Sequence, residues 1–370
     1  MRGGGLRRRP GPGALALCLT LALGACASAP AAPPTPLPPV APGPAQAVTP
    51  ADGQGPATLA GWNDEDHLAA FHAWAAGCGV ARDAASRTQC SRAMQIKQTS
   101  KPVTPSAARA FFETGFTVVA AETADGGPGL LTAYFAPEYA ARRRPDAEFD
   151  MPVLARPDGW TRGQVLPVRS EIEANPPARV LAWMRAEDLF FMQIQGSGYL
   201  TFDDGSQVRA AYAADNGQPF TGIARPMAEQ GLLPPNGTSG EAIRAWLARH
   251  RGPEARAIMA LNPRYIFFAI DPDDGGHPAG AAGIPLPPRR AIAIDPTHWR
   301  YGELVWISAD GGNLVGARGS YQGLVVALDT GSAIRGPVRA DFYMGRGAAA
   351  GEEAGAVRHP LRMWRLVPRP

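Results

Sequence analysis

The chain has 370 residues, 45% of them hydrophobic, which is enough for one large domain or two ordinary ones and excludes a short peptide or a wholly disordered tail. The formal net charge of +3 comes from the start of the chain: the first 25 residues hold Arg2, Arg7, Arg8 and Arg9 and no acid, and from residue 26 onward 32 basic residues face 33 acidic ones. That balance disfavours a nucleic acid or any other polyanion as partner, and the scarcity of lysine (Lys97 and Lys101 only) reads as coding bias rather than as a phosphate-binding device.

Arg7 to Arg9 form a basic start, residues 14–23 a short apolar run, and small residues follow, the pattern of a cleaved secretory signal over residues 1–25. Leu23-Gly24-Ala25-Cys26 resembles a bacterial lipobox, with Cys26 as the lipid-bearing first residue of the mature protein. Ala27 after it resembles the release signal for the outer membrane of a Gram-negative cell. Residues 27–50 hold nine prolines among Ala, Ser, Thr and Gly and are expected to be extended, reaching on the order of 75 Å at ~3.1 Å per residue, within a tether that runs over 26–58. With Cys18 in the signal and Cys26 acylated, Cys78 and Cys90 are left in an oxidising compartment, where a disulfide is expected; two buried thiols are the alternative, and no familiar zinc spacing is present.

In the body, Asn63 followed by three acids predicts a helix start, with Leu68, Phe71 and Trp74 at helical spacing until Gly77, and His67 and His72 on its polar face. Ser106 after Pro105 opens a second helix that Gly115 closes, and 116–121 reads as a strand. Two more helices are expected at 241–250 and after Pro253. The final third changes to strand-like runs at 291–294, 304–307, 324–328, 338–343 and 361–366, a small all-β unit of barrel type.

No phosphate-cradling loop, HExxH or Gly-x-Ser-x-Gly elbow occurs, so the chemistry falls to carboxylates. Asp329 ends an apolar strand at the turn Thr330-Gly331. Asp341 alternates with Arg339 and Tyr343 on one strand face, and Asp295 ends the run 291–294. An isolated strand-end aspartate is ordinarily a turn residue; three in one unit point to a site.

The segments Thr132-Ala-Tyr134-Phe-Ala-Pro137, Gln193-Ile-Gln195-Gly196-Ser197-Gly198-Tyr199, Asn262-Pro-Arg-Tyr-Ile-Phe-Phe268, Ala327-Leu-Asp329-Thr-Gly331-Ser-Ala-Ile-Arg-Gly336 and Asp341-Phe-Tyr343-Met-Gly345-Arg-Gly347 resemble, in order, the membrane-bound lytic murein transglycosylase A (MltA) family over about 60–367, with Asp295, Asp329 and Asp341 matching the three acids of its C-terminal three-aspartate (3D) domain. The resemblance implies a mainly β protein with a few helices: a double-psi β-barrel domain in two parts (59–137 and 264–370), a second β-rich domain inserted at 138–263, and a substrate groove between them. It implies cleavage of the β-1,4 MurNAc–GlcNAc bond of peptidoglycan without water, Asp341 and Asp329 being catalytic and Tyr134, Gln195, Gly196, Ser197, Tyr199, Asp295 and Tyr343 binding substrate. It also implies glycan strands as partner, an outer-membrane lipoprotein facing the periplasm, cell-wall synthesis proteins as further candidate partners, and no cofactor or metal. Thr330 and Ser332 depart from the family pattern and leave two alternatives. One is an aspartic protease using Asp329-Thr330-Gly331, which would need a second such motif that the chain lacks. The other is a non-catalytic wall-binding lipoprotein, against which the presence of Asp341 argues.

Overall fold

The computed structural model describes residues 53–370 apart from 234–238, 313 and 332. The expected signal, Cys26, most of the tether and Ser332 lie outside the described residues. No helix among the described residues is long and apolar enough to cross a membrane.

The chain opens with three helices, α1 (His67–Gly77), α2 (Ala84–Thr99) and α3 (Pro105–Gly115), before β1 (Phe116–Ala121) and β2 (Gly129–Ala136). Side chains that accept an otherwise orphaned backbone N–H set each helix start: Asp66 accepts from Ala69 N at 3.0 Å, Asp83 from Ser86 N at 2.9 Å, and Thr104 from Ala107 N at 3.2 Å. Asp66, not Asn63, therefore begins α1, and Thr104, not Ser106, begins α3. Cys78 and Cys90 form a disulfide that ties the turn after α1 to α2. His67 does not lie on a polar face: it is buried, with its ring 4.6 Å from that of Trp62.

The middle of the chain carries β3 (Glu138–Ala140), β4 (Met151–Leu154), α4 (Arg169–Ala174), β5 (Val180–Met184), α5 (Ala186–Gln195), β6 (Gly198–Thr201), β7 (Gln207–Asp215), α6 (Ala224–Glu229), α7 (Gly240–Arg249), α8 (Pro253–Met259) and β8 (Ile266–Pro272). Strands β3-β6-β7-β8 form one sheet and β4-β5 a second. Strand β8 pairs with β7, so residues 266–272 lie in the same sheet as β3, β6 and β7.

The last third holds β9 (Ala291–Ala293), β10 (Leu304–Asp310), β11 (Ser320–Asp329), β12 (Arg339–Arg346), α9 (Ala348–Ala356) and β13 (Arg358–Pro368). The order β13-β10-β11-β9-β12-β2 closes on itself because β13 also pairs with β2, giving a six-stranded barrel with β1 added along β13. The fold is thus mixed α/β rather than mainly β: nine α-helices occur among the described residues, five of them in the inserted region.

Period-two alternation divides the barrel into two faces. Val305, Ile307, Val325, Ala327, Ala340, Phe342, Leu361 and Met363 pack in one cluster with Leu131 and Ile292, while Leu304, Trp306, Leu324, Val326, Tyr343, Trp364 and Leu366 pack with Phe71, Trp74, Phe111 and Phe112 of the opening helices. A separate core centred on Leu189, Phe190, Met227, Trp246 and Phe268 fills the inserted region.

Candidate active site

The same alternation aims the acid of β12. Ala340 and Phe342 point into the barrel cluster, so Asp341 and Tyr343 point to the other face. Strand β2 runs parallel beside β12 with Thr132 opposite Asp341 and Tyr134 opposite Tyr343, so four polar side chains share one surface. Glycine at 129 allows this approach, since a Cβ there would stand 1.7 Å from the Val338 carbonyl oxygen.

Asp329 arrives by a different device. Along β11, Leu324, Val326 and Leu328 face the helices, and simple alternation would send Asp329 into the barrel. The pairing with β9 shifts register between Ala327 and Asp329, a β-bulge of the kind that re-aims a side chain at the end of a strand. Its Oδ2 accepts the Tyr134 hydroxyl at 2.7 Å and its Oδ1 the Ala281 N–H at 2.9 Å. The neighbouring Gly280 packs so tightly on β11 that a Cβ would lie 2.4 Å from the Leu328 carbonyl oxygen.

The two acids differ in how fully they are held. Asp341 Oδ1 accepts from the Thr132 hydroxyl at 2.5 Å, and Oδ2 has no hydrogen-bond partner among the described residues. Arg339 Nη2 donates to the same Thr132 oxygen at 2.9 Å, so the guanidinium acts on Asp341 through the threonine rather than by direct ion pairing. Burial raises the pKa of Asp341, the Thr132 hydrogen bond and the Arg339 charge oppose that, and the Asp329 charge adds to it, leaving the group above the usual aspartate range. Asp329 is raised too, by burial against the Tyr134 and Ala281 hydrogen bonds. Tyr134 is held protonated by burial and by the Asp329 charge, consistent with its role as donor.

Asp295, grouped with these acids from sequence, is of another kind. It is 3% exposed and accepts from the Thr297 N–H and hydroxyl and from the Gly336 N–H at 2.8 Å, and hydrogen bonds to Gly336 and Thr297 lower its pKa to about 2. It clamps the loop before β12 to the end of β9, and among the described residues its side chain shares no hydrogen-bond partner with the carboxyls of Asp329 or Asp341.

The aromatic residues also read differently in place. Tyr199 is 1% exposed; its hydroxyl donates to the Gly276 carbonyl at 2.9 Å and the Arg346 guanidinium covers its ring at 3.5 Å. Arg346, at the end of β12, also pairs with Asp273 and Glu138, so Tyr199 helps clasp barrel to insert. Tyr343 is 0% exposed, its ring 5.3 Å from Tyr134 and its hydroxyl 3.0 Å from His277 Nδ1, and it acts as a wall behind the acids. Burial, and then the Arg346 charge, lower the His277 pKa and so favour its neutral form. Gln195 ends α5, Gly196 caps it with a left-handed φ of 81°, and Ser197 leads into β6, which the Tyr199 N–H ties to the Pro137 carbonyl at 2.8 Å, just past β2. Thr132 and His277 had no role in the sequence reading. Thr132 lies within one of the quoted motifs, but its hydroxyl gains meaning only from a strand pairing 209 residues away.

Two family models match the chain, the MltA specific insert domain over residues 130–269 and the 3D domain over 290–367. The membrane-bound lytic murein transglycosylase A of Escherichia coli K12 is 34% identical over 249 residues, 65% of this chain and 66% of that protein, so the chain spans about two thirds of the length of that relative. The Vibrio cholerae protein of the same name is 32% identical over 264 residues, 68% of this chain and 69% of that one. Among solved structures, E. coli MltA with bound chitohexaose superposes with a TM-score of 0.65 at 27% identity, covering 87% of this chain and 93% of that one. A barrel that brings two raised-pKa aspartates to one surface, the two domain matches and these relatives agree: the chain belongs to the membrane-bound lytic murein transglycosylase A family.

Proposed function

We propose that this chain is a lytic transglycosylase that cleaves the β-1,4 bond between MurNAc and GlcNAc in peptidoglycan and leaves 1,6-anhydromuramyl ends. One observation carries the reading. Asp341 is a partly buried carboxyl with a raised pKa, one oxygen held by Thr132 and the other without a partner among the described residues. Ordinary glycosidases pair an acid with a base or nucleophile so that water can be delivered. Here Asp341 gives its proton to the leaving GlcNAc O4 as the glycosidic bond breaks, then takes the proton of the muramic C6 hydroxyl as that oxygen attacks its own anomeric carbon. The two transfers cancel, the carboxyl ends as it began, and no water is consumed.

Asp329 supports this from its bulge: its charge raises the Asp341 pKa and lies near the oxocarbenium-like centre that forms in the transition state. The groove between barrel and insert takes the glycan, with Tyr134 and the Gln195-Gly196-Ser197 turn on its walls; a relative solved with bound chitohexaose supports a sugar chain as occupant. Asp295, Tyr199 and Tyr343 act as positioning residues behind it. Two parallel pairings, β12 with β2 and β11 with β9, support the double-psi topology for the closed barrel. The inserted domain is drawn as 138–272, with barrel parts on either side. A signal over 1–25, a lipid on Cys26 and a tether to residue 58 would place the enzyme on the periplasmic face of the outer membrane. The protease alternative gains nothing from the site, because Tyr134 and Ala281 already hold the two oxygens of Asp329.

Digestion of purified sacculi in ¹⁸O-water tests the reading. Anhydro ends without label are expected from wild type; labelled reducing ends identify a hydrolase, and released peptides a protease. Bound but uncut glycan identifies a binding protein.

A further inference from the structure

A cavity of about 700 Å³ lies where the disulfide-tied turn and α2 meet the end of the barrel. Its volume falls in the range of ligand sites. Trp74 forms part of an apolar wall, and its indole N–H is spent on the Gly302 carbonyl at 3.3 Å. The acids at the rim are committed elsewhere. Asp83 accepts from Ser86 N at 2.9 Å as the cap of α2, with Arg300 only a weak contributor to its pKa, and Glu303 accepts from Arg365 at 3.2 Å. Arg82 and Arg300 also line the cavity, and neither guanidinium makes a hydrogen bond or ion pair among the described residues. The cavity therefore joins an apolar wall to two uncommitted cations, the chemistry that receives a short peptide bearing free carboxylates.

The cavity also touches the active site. Ala281 and Ala282 line it, and they hold the end of β11 in place: Ala281 N–H on Asp329 Oδ1 at 2.9 Å and Ala282 N–H on the Leu328 carbonyl at 3.0 Å. On another side Gly302, also in the lining, donates to the Ala327 carbonyl at 2.8 Å. A ligand seated there presses on the same strand end that delivers Asp329.

We propose that this cavity is a peptide subsite: it receives the carboxylate-bearing stem peptide of the glycan strand being cut, with Arg82 and Arg300 as the recognition residues. The proposal rests on the lytic transglycosylase reading above and adds the part of the polymer that reading leaves unassigned.

Both arginines are exposed, so the double variant Arg82→Gln/Arg300→Gln should fold as wild type, which its melting temperature verifies. Two substrates separate the outcomes: glycan strands carrying stems, and the same strands stripped of stems by an amidase. Wild type should show a kcat/KM for stem-bearing strands on the order of tenfold above that for bare strands, a factor that a single well-placed charge contact can supply, and the double variant should bring the ratio close to one. An unchanged ratio in the variant, or a ratio of one in wild type, overturns the subsite. A calorimetric titration with the free tetrapeptide stem reads the site without turnover: binding to wild type and its loss in the double variant support the proposal, and equal titration curves overturn it. Should neither strand yield anhydro ends, the function reading fails while the titration still decides the subsite.

Discussion

The inserted region and the site surface of the barrel hold their acids in different ways. In the insert, buried and half-buried carboxylates meet arginines directly: Glu173 with Arg169 at 3.1 Å, Asp215 with Arg264 at 2.8 Å, and Glu187 with Arg251 at 2.5 Å. In the barrel surface that carries the site, Arg339 sits two residues from Asp341 on the same strand yet donates to Thr132 instead. A direct arginine pair opposes the rise that burial imposes on a carboxyl, leaving Asp215 lowered and Glu173 still raised but fixed in its ion pair, whereas Asp341, reached only through a hydroxyl and partly stripped of water, is raised with one oxygen open and can exchange its proton. Asp295 shows that the rule follows contacts rather than domain, since inside the barrel it is fully hydrogen-bonded, held low, and structural.

Removing the exchangeable proton should have the largest effect. Asp341→Asn keeps the volume and the Thr132 contact but abolishes both proton transfers, so turnover should fall by at least the ~10⁴-fold upper end of general acid–base assistance, with melting temperature unchanged. Near-normal turnover of this variant would move the chemistry to another residue. On the structural side of the comparison, Arg169 is buried on Glu173, the Asn262 carbonyl at 3.0 Å and the Arg264 carbonyl at 2.7 Å. Arg169→Met leaves a buried carboxylate unpaired and should cost about 3–5 kcal/mol in denaturant unfolding, the range for breaking a buried pair. A loss below ~1 kcal/mol would mean that insert ion pairs are not what holds its acids.

Much of this contrast was invisible in the sequence, for identifiable reasons. The alternation 339–343 set the face of Asp341 correctly because a strand has a fixed period of two. Asp329 could not be placed that way, since a bulge breaks the period at Ala327 and only pairing with β9 reveals it. The strands of the final third were found but read short: 304–307 is β10 to Asp310 and 361–366 is β13 from Arg358 to Pro368, their polar ends being paired by neighbours rather than by pattern. Helix α2 escaped because its sequence is mostly polar and rests on the Asp83 cap and the packing of Ala93 and Gln89. Helix α5 escaped because its residues are buried along most of its length, which leaves little amphipathic signal. The burial of Tyr199 and Tyr343 is a tertiary property that no local pattern carries, because the residues that cover them, Arg346 and Tyr134, come from other elements.

The opening helices offer a smaller test of what holds the barrel's outer face. The Cys78–Cys90 bridge closes a loop of sequence separation 12 beside the packing of Trp74 on Phe111. Replacing both cysteines with serine should cost about 3 kcal/mol by the loop-entropy argument, read as a lower denaturant midpoint, while turnover on bare strands at low denaturant persists. Free-thiol counting on the denatured wild type should find none from this pair. Asp329→Asn should reduce turnover by about 10 to 100-fold, or 1.4–2.7 kcal/mol, because it removes a charge that tunes Asp341 while leaving the transferable proton in place.

The finest test concerns Arg339, a cation that stands near Asp341 without touching it. Asp341 must be protonated to start the reaction, and its pKa is raised in the fold, so activity should be complete at low pH and lost as pH rises through that raised value. Arg339 opposes the rise with its charge, and by donating to Thr132 it also strengthens the hydrogen bond that favours the ionised carboxylate. Arg339→Met retains bulk and removes both influences, so the alkaline limb of the pH–activity profile should move to higher pH. A purely structural role for Arg339 predicts lower activity with the limb unmoved. Thr132→Val, which removes the hydroxyl between them, should move the limb in the same direction, and the two substitutions combined should move it by less than the sum of their separate effects, because Arg339 acts in part through the group that Thr132→Val deletes.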